Sequence, residues 1–299
     1  MRALATGIAA GAMTAFWSAA AFAADEIGQP TPGAIDLQPG VTPLRDDAIF
    51  FHNWILMPII TAITLFVLAL LLWCVFRYNK KANPIPAKWS HNTVIEVVWT
   101  LVPVLILVFI SIFSFRLLFN YNDMPKPYMT IKATGYQWYW GYEYPDQKIP
   151  EFVSNILPED KAKAKGVPYK LAATEPLVVP VNQVVQVNVT GADVIHAFAV
   201  PAFGIITDAV PGRVNQTWFK VDRVGTFYGQ CRELCGVDHA FMPIEVKVVS
   251  QADFDAWVAS KTKKAAPAAP AAAAAAPANP AAPAAAPNTP AAPTAPAKP

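Results

Sequence analysis

Two stretches without a charged side chain limit what this chain can become more than any other feature. One runs from Ile49 to Phe76. The other runs from Val97 to Phe115, between Glu96 and Arg116. The nineteen residues of the second reach about 29 Å at the helical rise, close to the roughly 30 Å of a bilayer's hydrocarbon layer. In lipid every backbone polar group needs an internal partner, so such runs become helices, and Pro58 and Pro103 are tolerated there. The segment between them carries Arg77, Lys80, Lys81 and Lys88 and no acid before Glu96. By the positive-inside rule it faces the cytoplasm. The expectation is a transmembrane hairpin over 48–120, with helices at about 49–77 and 96–118 and a cytoplasmic loop 78–95. Two helices are too few for a pore and are expected to pack against another membrane subunit.

The flanks read differently. Arg2, an apolar run and Ala21-Phe22-Ala23 form the pattern of a signal peptide over 1–23. Residues 24–47 are Pro- and Gly-rich and are expected to be an irregular lead-in on the outer side. After Lys264 almost every residue is Ala or Pro. Such a tail, taken as 261–299, cannot bury a core and is expected to be disordered or partly polyproline II.

Residues 121–260 read as an all-β domain. Apolar–polar alternation marks Tyr128–Ala133, Leu177–Pro180, Val184–Val189, Gln216–Val221 and Ile244–Val249, separated by Pro, Gly and Asp. That rhythm predicts a Greek-key sandwich or barrel. Glu151 to Lys170 reads as a solvated insertion. The aromatic run from Tyr136 to Tyr144 reads as one strand, with Tyr136, Trp138 and Trp140 on the face opposite Tyr139. Between Met124 and Val258 there are 12 Lys/Arg and 14 Asp/Glu. No basic stripe suggests nucleic acid. Glu143, Asp146, Asp193 and Asp208 are candidate docking acids for a basic partner.

The chemistry is concentrated in Cys231-Arg232-Glu233-Leu234-Cys235-Gly236-Val237-Asp238-His239-Ala240-Phe241-Met242-Pro243. Thiolate and thioether are soft donors and select copper, zinc or iron–sulfur, and a Met in the set argues for copper over zinc. His196, just past an alternating strand, supplies the partner that the loop lacks. Two thiolates four residues apart can each bridge two ions. The economical assignment is a binuclear copper centre with Cys231 and Cys235 as bridges, His196 and His239 as terminal ligands, Met242 as a weak ligand and the Glu233 backbone oxygen as the sixth donor. A Cys-x3-Cys pair alone is more often a disulfide or a redox pair, so a membrane-bound copper or thiol-redox assembly factor is the alternative. Cys74, inside the first apolar run, reads as an inert apolar residue.

Phe227-Tyr228-Gly229-Gln230-Cys231 through Pro243, together with Asp193-Val194-Ile195-His196, Thr207-Asp208-Ala209-Val210-Pro211-Gly212-Arg213 and Gly135-Tyr136-Gln137-Trp138-Tyr139-Trp140, resembles subunit II of cytochrome c oxidase with its CuA centre. The resemblance runs from about Asp46 to Val258. It implies a cupredoxin-like domain in the periplasm of a bacterial cell, anchored in the inner membrane beside subunit I and subunit III. It also implies a component of a proton-pumping terminal oxidase that takes electrons from cytochrome c at two copper ions and passes them to haem in subunit I, where oxygen is reduced. Trp138 matches the electron-entry position, with Tyr139 beside it. Glu96 matches an acid near the mouth of a proton-uptake pathway. The Glu233 carboxylate matches a contributor to a magnesium site shared with subunit I. The stretch Gly204-Ile205-Ile206-Thr207 lacks the basic residue that family members often carry there.

Overall fold

The computed structural model describes residues 27–265. The expected signal peptide and the chain beyond Ala265 lie outside the described residues. Helix α1 spans Pro43–Arg77. It begins before the uncharged run because Thr42 caps it: Oγ1 accepts the Arg45 N–H at 3.1 Å, and Pro43 follows at the first helical position. The lead-in is therefore helical from Pro43, which corrects the expectation of irregular chain as far as residue 47. From Phe51 to Leu56 the helix widens into a π turn, and the Met57 N–H reaches back to His52 O. This widening sits directly ahead of Pro58, which has no N–H to offer the ladder.

Helix α2 spans Thr93–Asn122, again longer than the uncharged run at both ends. Asn92 Oδ1 accepts the Val94 and Ile95 N–H groups, and Glu96 Oε1 accepts the Asn92 N–H at 3.3 Å. No residue of Met57–Arg77 or of α2 is buried. Leu65, Phe66, Leu71, Trp73, Leu105 and Leu107 all lie exposed. An apolar surface of that extent is unsuited to water.

Among the described residues ten strands follow: β1 Met129–Tyr136, β2 Tyr139–Tyr144, β3 Ile149–Ser154, β4 Leu177–Pro180, β5 Val184–Gly191, β6 His196–Val200, β7 Ile205–Ala209, β8 Asn215–Lys220, β9 Gly225–Gln230 and β10 Pro243–Val249. One sheet has the order β3-β2-β1-β5-β8, a second β4-β10-β9, and β6 pairs with β7. β1 runs parallel to β5, and β4 to β10. In β5, Val185, Val187 and Val189 are buried while their neighbours are half-buried, the period of a strand with one face on a core. With Ile131, Trp140, Tyr142 and Phe219 they share one core with Leu177, Val179, Phe227, Ile244 and Val246. Each such aliphatic or Phe side chain contributes about 1.5–3 kcal/mol by leaving water.

The structure corrects three further expectations. The aromatic run is not one strand. The chain reverses at Gln137–Trp138, so Tyr136 pairs with Tyr139 and their rings stack on one face at 4.8 Å and 9°. The expected insertion does not begin at Glu151, which lies in β3; within it, Glu159–Lys165 forms the short helix α3. Finally, Gln251–Ala265 forms helix α4, so residues 261–265 belong to the folded unit, not to the tail. Its Trp257 packs on Tyr144 at 5.0 Å.

The lead-in is sewn into the β domain. The Tyr228 N–H donates to Gly28 O at 2.7 Å, the Val41 N–H to Ala202 O at 3.2 Å, and the Asp222 N–H to Val41 O at 3.1 Å. Val41 is wholly buried.

Candidate metal centre

Strand β6 starts with His196, and β9 runs directly into Cys231. The two meet because the Arg232 N–H donates to Ala197 O at 3.1 Å, and the loop closes where the Cys231 N–H donates to Met242 O at 3.1 Å. This brings His196, Cys231 and Cys235 into one cluster able to hold a metal ion, their donor atoms all within 4.8 Å of one another. Cys231 Sγ lies 3.9 Å from His196 Nδ1, 3.9 Å from Cys235 Sγ and 3.3 Å from Glu233 O. Cys235 Sγ lies 3.5 Å from His239 Nδ1. Both cysteines are free thiols and buried, as are His196 and Met242.

The donors fit a metal. Bond lengths of about 2.0–2.3 Å place neighbouring ligands of a tetrahedral ion about 3.3–3.8 Å apart. Separations of 3.3 and 3.5 Å fall within that spacing and one of 3.9 Å lies just beyond it, and thiolate with imidazole suits a soft transition metal. Burial disfavours a thiolate at Cys231, yet hydrogen bonds to His196 and to the Ala197 and Glu233 backbone draw it down to about 7. Burial and the adjacent Cys231 push Cys235 up to about 12. Burial also disfavours a charged His196, but its bonds to Cys231 and Asp193 prevail and raise it.

Around the donors lies a hydrogen-bonded frame that the sequence reading did not anticipate. Asp193 Oδ1 sits 2.9 Å from His196 Nε2, which fixes Nδ1 toward the thiols. The same carboxylate accepts the Gln137 N–H at 2.7 Å and the Val194 N–H at 2.6 Å. Burial would raise Asp193, but these three bonds outweigh it and hold it low. Gln137 Nε2 and Trp138 Nε1 both donate to Cys235 O, at 2.8 and 3.2 Å. Two glycines permit these approaches. A Cβ on Gly135 would stand 2.8 Å from His196 Cδ2. One on Gly236, where φ is +125°, would stand 2.9 Å from the Trp138 ring. The Asp-x-x-His spacing was the available signal for the first contact; nothing local marks the others.

The Glu233 side chain is exposed. Tyr139 is half-buried under Tyr136. Glu143 pairs with Lys132 at 3.5 Å, and Asp146 accepts the Thr130 N–H at 2.7 Å. Asp208 is exposed on β7, opposite Ala197. Glu96 caps the end of α2 remote from the β domain, about 40 Å along the helix from Asn122.

Fold and site together define a membrane-anchored, cupredoxin-like β-sandwich protein with a cluster of soft donors able to hold a metal. Residues 129–249 match the family model for the cytochrome C oxidase subunit II periplasmic domain, and residues 30–117 match that for its transmembrane domain. The chain is 45% identical over 274 residues to cytochrome c oxidase subunit 2 of Cereibacter sphaeroides, covering 85% of this chain and 90% of that one. It is 47% identical over 237 residues to the probable cytochrome c oxidase subunit 2 of Rickettsia felis, covering 79% and 75%. Among solved structures, the periplasmic domain of cytochrome oxidase subunit II of Bradyrhizobium japonicum is 56% identical, covers 47% of this chain and 98% of that chain, and has a TM-score of 0.44. The chain belongs to the cytochrome c oxidase subunit II family.

Proposed function

We propose that this chain is the electron-entry subunit of a cytochrome c oxidase in a bacterial inner membrane, with its β domain in the periplasm. The observation that carries the reading is the convergence of two buried thiols on two imidazoles, 3.5–3.9 Å apart, in a chain of this family. Cys231, Cys235, His196, His239, Met242 and the Glu233 carbonyl would hold a pair of copper ions. Copper in that setting supplies single-electron storage between cytochrome c outside and the haem of subunit I, where oxygen is reduced and protons are pumped.

The chain's own part is positional. Asp193 holds His196, while Gln137 and Trp138 grip the Cys235 carbonyl. Trp138, half-buried and bonded to a ligand residue, is the assigned entry point, with Tyr139 beside it. Glu143, Asp146, Asp193 and Asp208 would favour the approach of a basic cytochrome c, an effect weakened by salt. The exposed Glu233 carboxylate is assigned to a magnesium site shared with subunit I, and Glu96 to the admission of protons from the cytoplasmic side. The basic loop residues Arg77, Lys80, Lys81 and Lys88 support that orientation.

Electron paramagnetic resonance of the copper-loaded full chain tests the centre. The expected spectrum shows one unpaired electron shared by two equivalent copper nuclei. One copper per chain with a single-nucleus pattern would overturn the assignment.

A further inference from the structure

The outer ends of both helices converge on one group of side chains beneath the metal domain. Tyr121, the penultimate residue of α2, donates its Oη–H to Gly204 O at 2.7 Å, and Oη also lies 3.5 Å from Leu44 O in the first turn of α1. The Tyr121 carbonyl accepts the Trp218 Nε1–H from β8 at 3.0 Å. On the α1 side, Thr42 Oγ1 is buried and donates to Phe203 O at 2.8 Å. Gly204 lets the parts close. Its φ is +72°, and a Cβ there would stand 3.0 Å from Arg45 Cα and 3.1 Å from Tyr121 Oη.

The receiving elements are those that carry the ligands. Strand β6 has His196 at one end and, after five residues, about 16 Å on, enters the Pro201–Phe203 turn that accepts Thr42 and precedes Gly204. Gly229, two residues before Cys231, packs against Ala199 O near the far end of β6 from His196.

We infer that Tyr121 is a positioning residue: bonded to Gly204 and Trp218, it locks the metal-bearing sandwich at one attitude to the membrane helices. The consequence for catalysis rests on the proposed function, since transfer to a haem held in another subunit requires the donor site at a fixed place above it. Losing the phenol leaves a carbonyl without its donor, and the joint then opens more often.

Hydrogen exchange on the full chain in detergent reads this directly, because local opening sets the exchange rate of the amides it exposes. In Tyr121→Phe the amides of Val41, Gly204 and Asp222 should exchange about two- to tenfold faster, the equivalent of one net hydrogen bond. Those of Ile131 and Val187 in the core should keep their rates. Trp218→Phe should give the same local pattern, and Thr42→Ser, which keeps its hydroxyl, should match the parent. Unchanged joint amides in both Phe variants, or uniform acceleration of joint and core, would overturn the inference. In the copper-loaded assembled complex, Tyr121→Phe should keep the copper spectrum and slow onward transfer. A joint that loosens without slowing transfer would leave the joint standing and remove its consequence for catalysis, whereas no copper-to-haem transfer in the parent complex would count against the proposed function.

Discussion

Gly135→Ala is a one-carbon change aimed at a ligand it never bonds. The new methyl would sit 2.8 Å from His196 Cδ2 and 2.9 Å from Cγ. Carbon pairs rest at about 3.5 Å, so the ring must retreat by roughly 0.7 Å. It has little room. The Asp193 carboxylate holds Nε2 at 2.9 Å, and Trp140 packs edge-on with ring centroids 6.2 Å apart. Overpacking of this kind costs about 1–3 kcal/mol. In the metal-free protein the imidazole can give up the Asp193 bond and tilt, which relieves part of that strain. In the loaded protein it must return, so the cost falls on affinity, about 5- to 150-fold. Competition for copper against a chelator, beside urea unfolding of the metal-free chain, separates the two states. Parent-like copper affinity, or an equal loss in the metal-free chain, would refute the reasoning.

Trp138→Phe removes the indole donor to Cys235 O but leaves the Gln137 bond. Copper content should hold, stability should drop by about 0.5–1.5 kcal/mol, and electron uptake from cytochrome c should fall in stopped-flow assays. The Tyr136 phenol, bonded to Glu151 at 2.8 Å, is pushed up to about 12. Its contribution to stability is complete below about pH 10 and disappears as pH rises through 12. Glu151→Gln should bring its ultraviolet titration back toward about 10, and an unmoved titration would remove the assigned cause. Ser154 Oγ is buried without a partner among the described residues, so Ser154→Ala should be neutral or stabilising by up to about 1 kcal/mol in urea. Glu96→Ala breaks the return bond to Asn92 and should slow proton uptake in reconstituted vesicles; normal pumping would end that role for Glu96.

The two thiols of the cluster were legible because Cys231 and Cys235 stand four positions apart in one loop, and soft sulfur chemistry narrows the metal. His196 could be added from the strand that precedes it. The frame around the donors was not legible in the same way. Asp193 looks like any surface acid until folding brings its carboxylate to His196 and to the Gln137 N–H, 56 residues away. The reversal at Gln137–Trp138 carries none of the usual Gly, Pro, Asn or Asp punctuation, so the aromatic run read as continuous. Two helix starts carry local signals of their own. Thr42-Pro43 is a cap followed by a first-turn proline, and Ser250 Oγ caps the last helix by accepting the Asp253 N–H at 3.1 Å. Pro-rich composition hid the first, and the Ala-rich tail hid the second.

The stitching of the lead-in has a consequence for how the molecule is made. Gly28 waits for Tyr228 and Thr42 for Phe203, a partner 161 positions downstream. Ribosomes release the first thread long before the cloth it hems exists, and two bilayer crossings intervene. Contacts so distant in sequence close late. Docking of the lead-in therefore waits on chain made long after it.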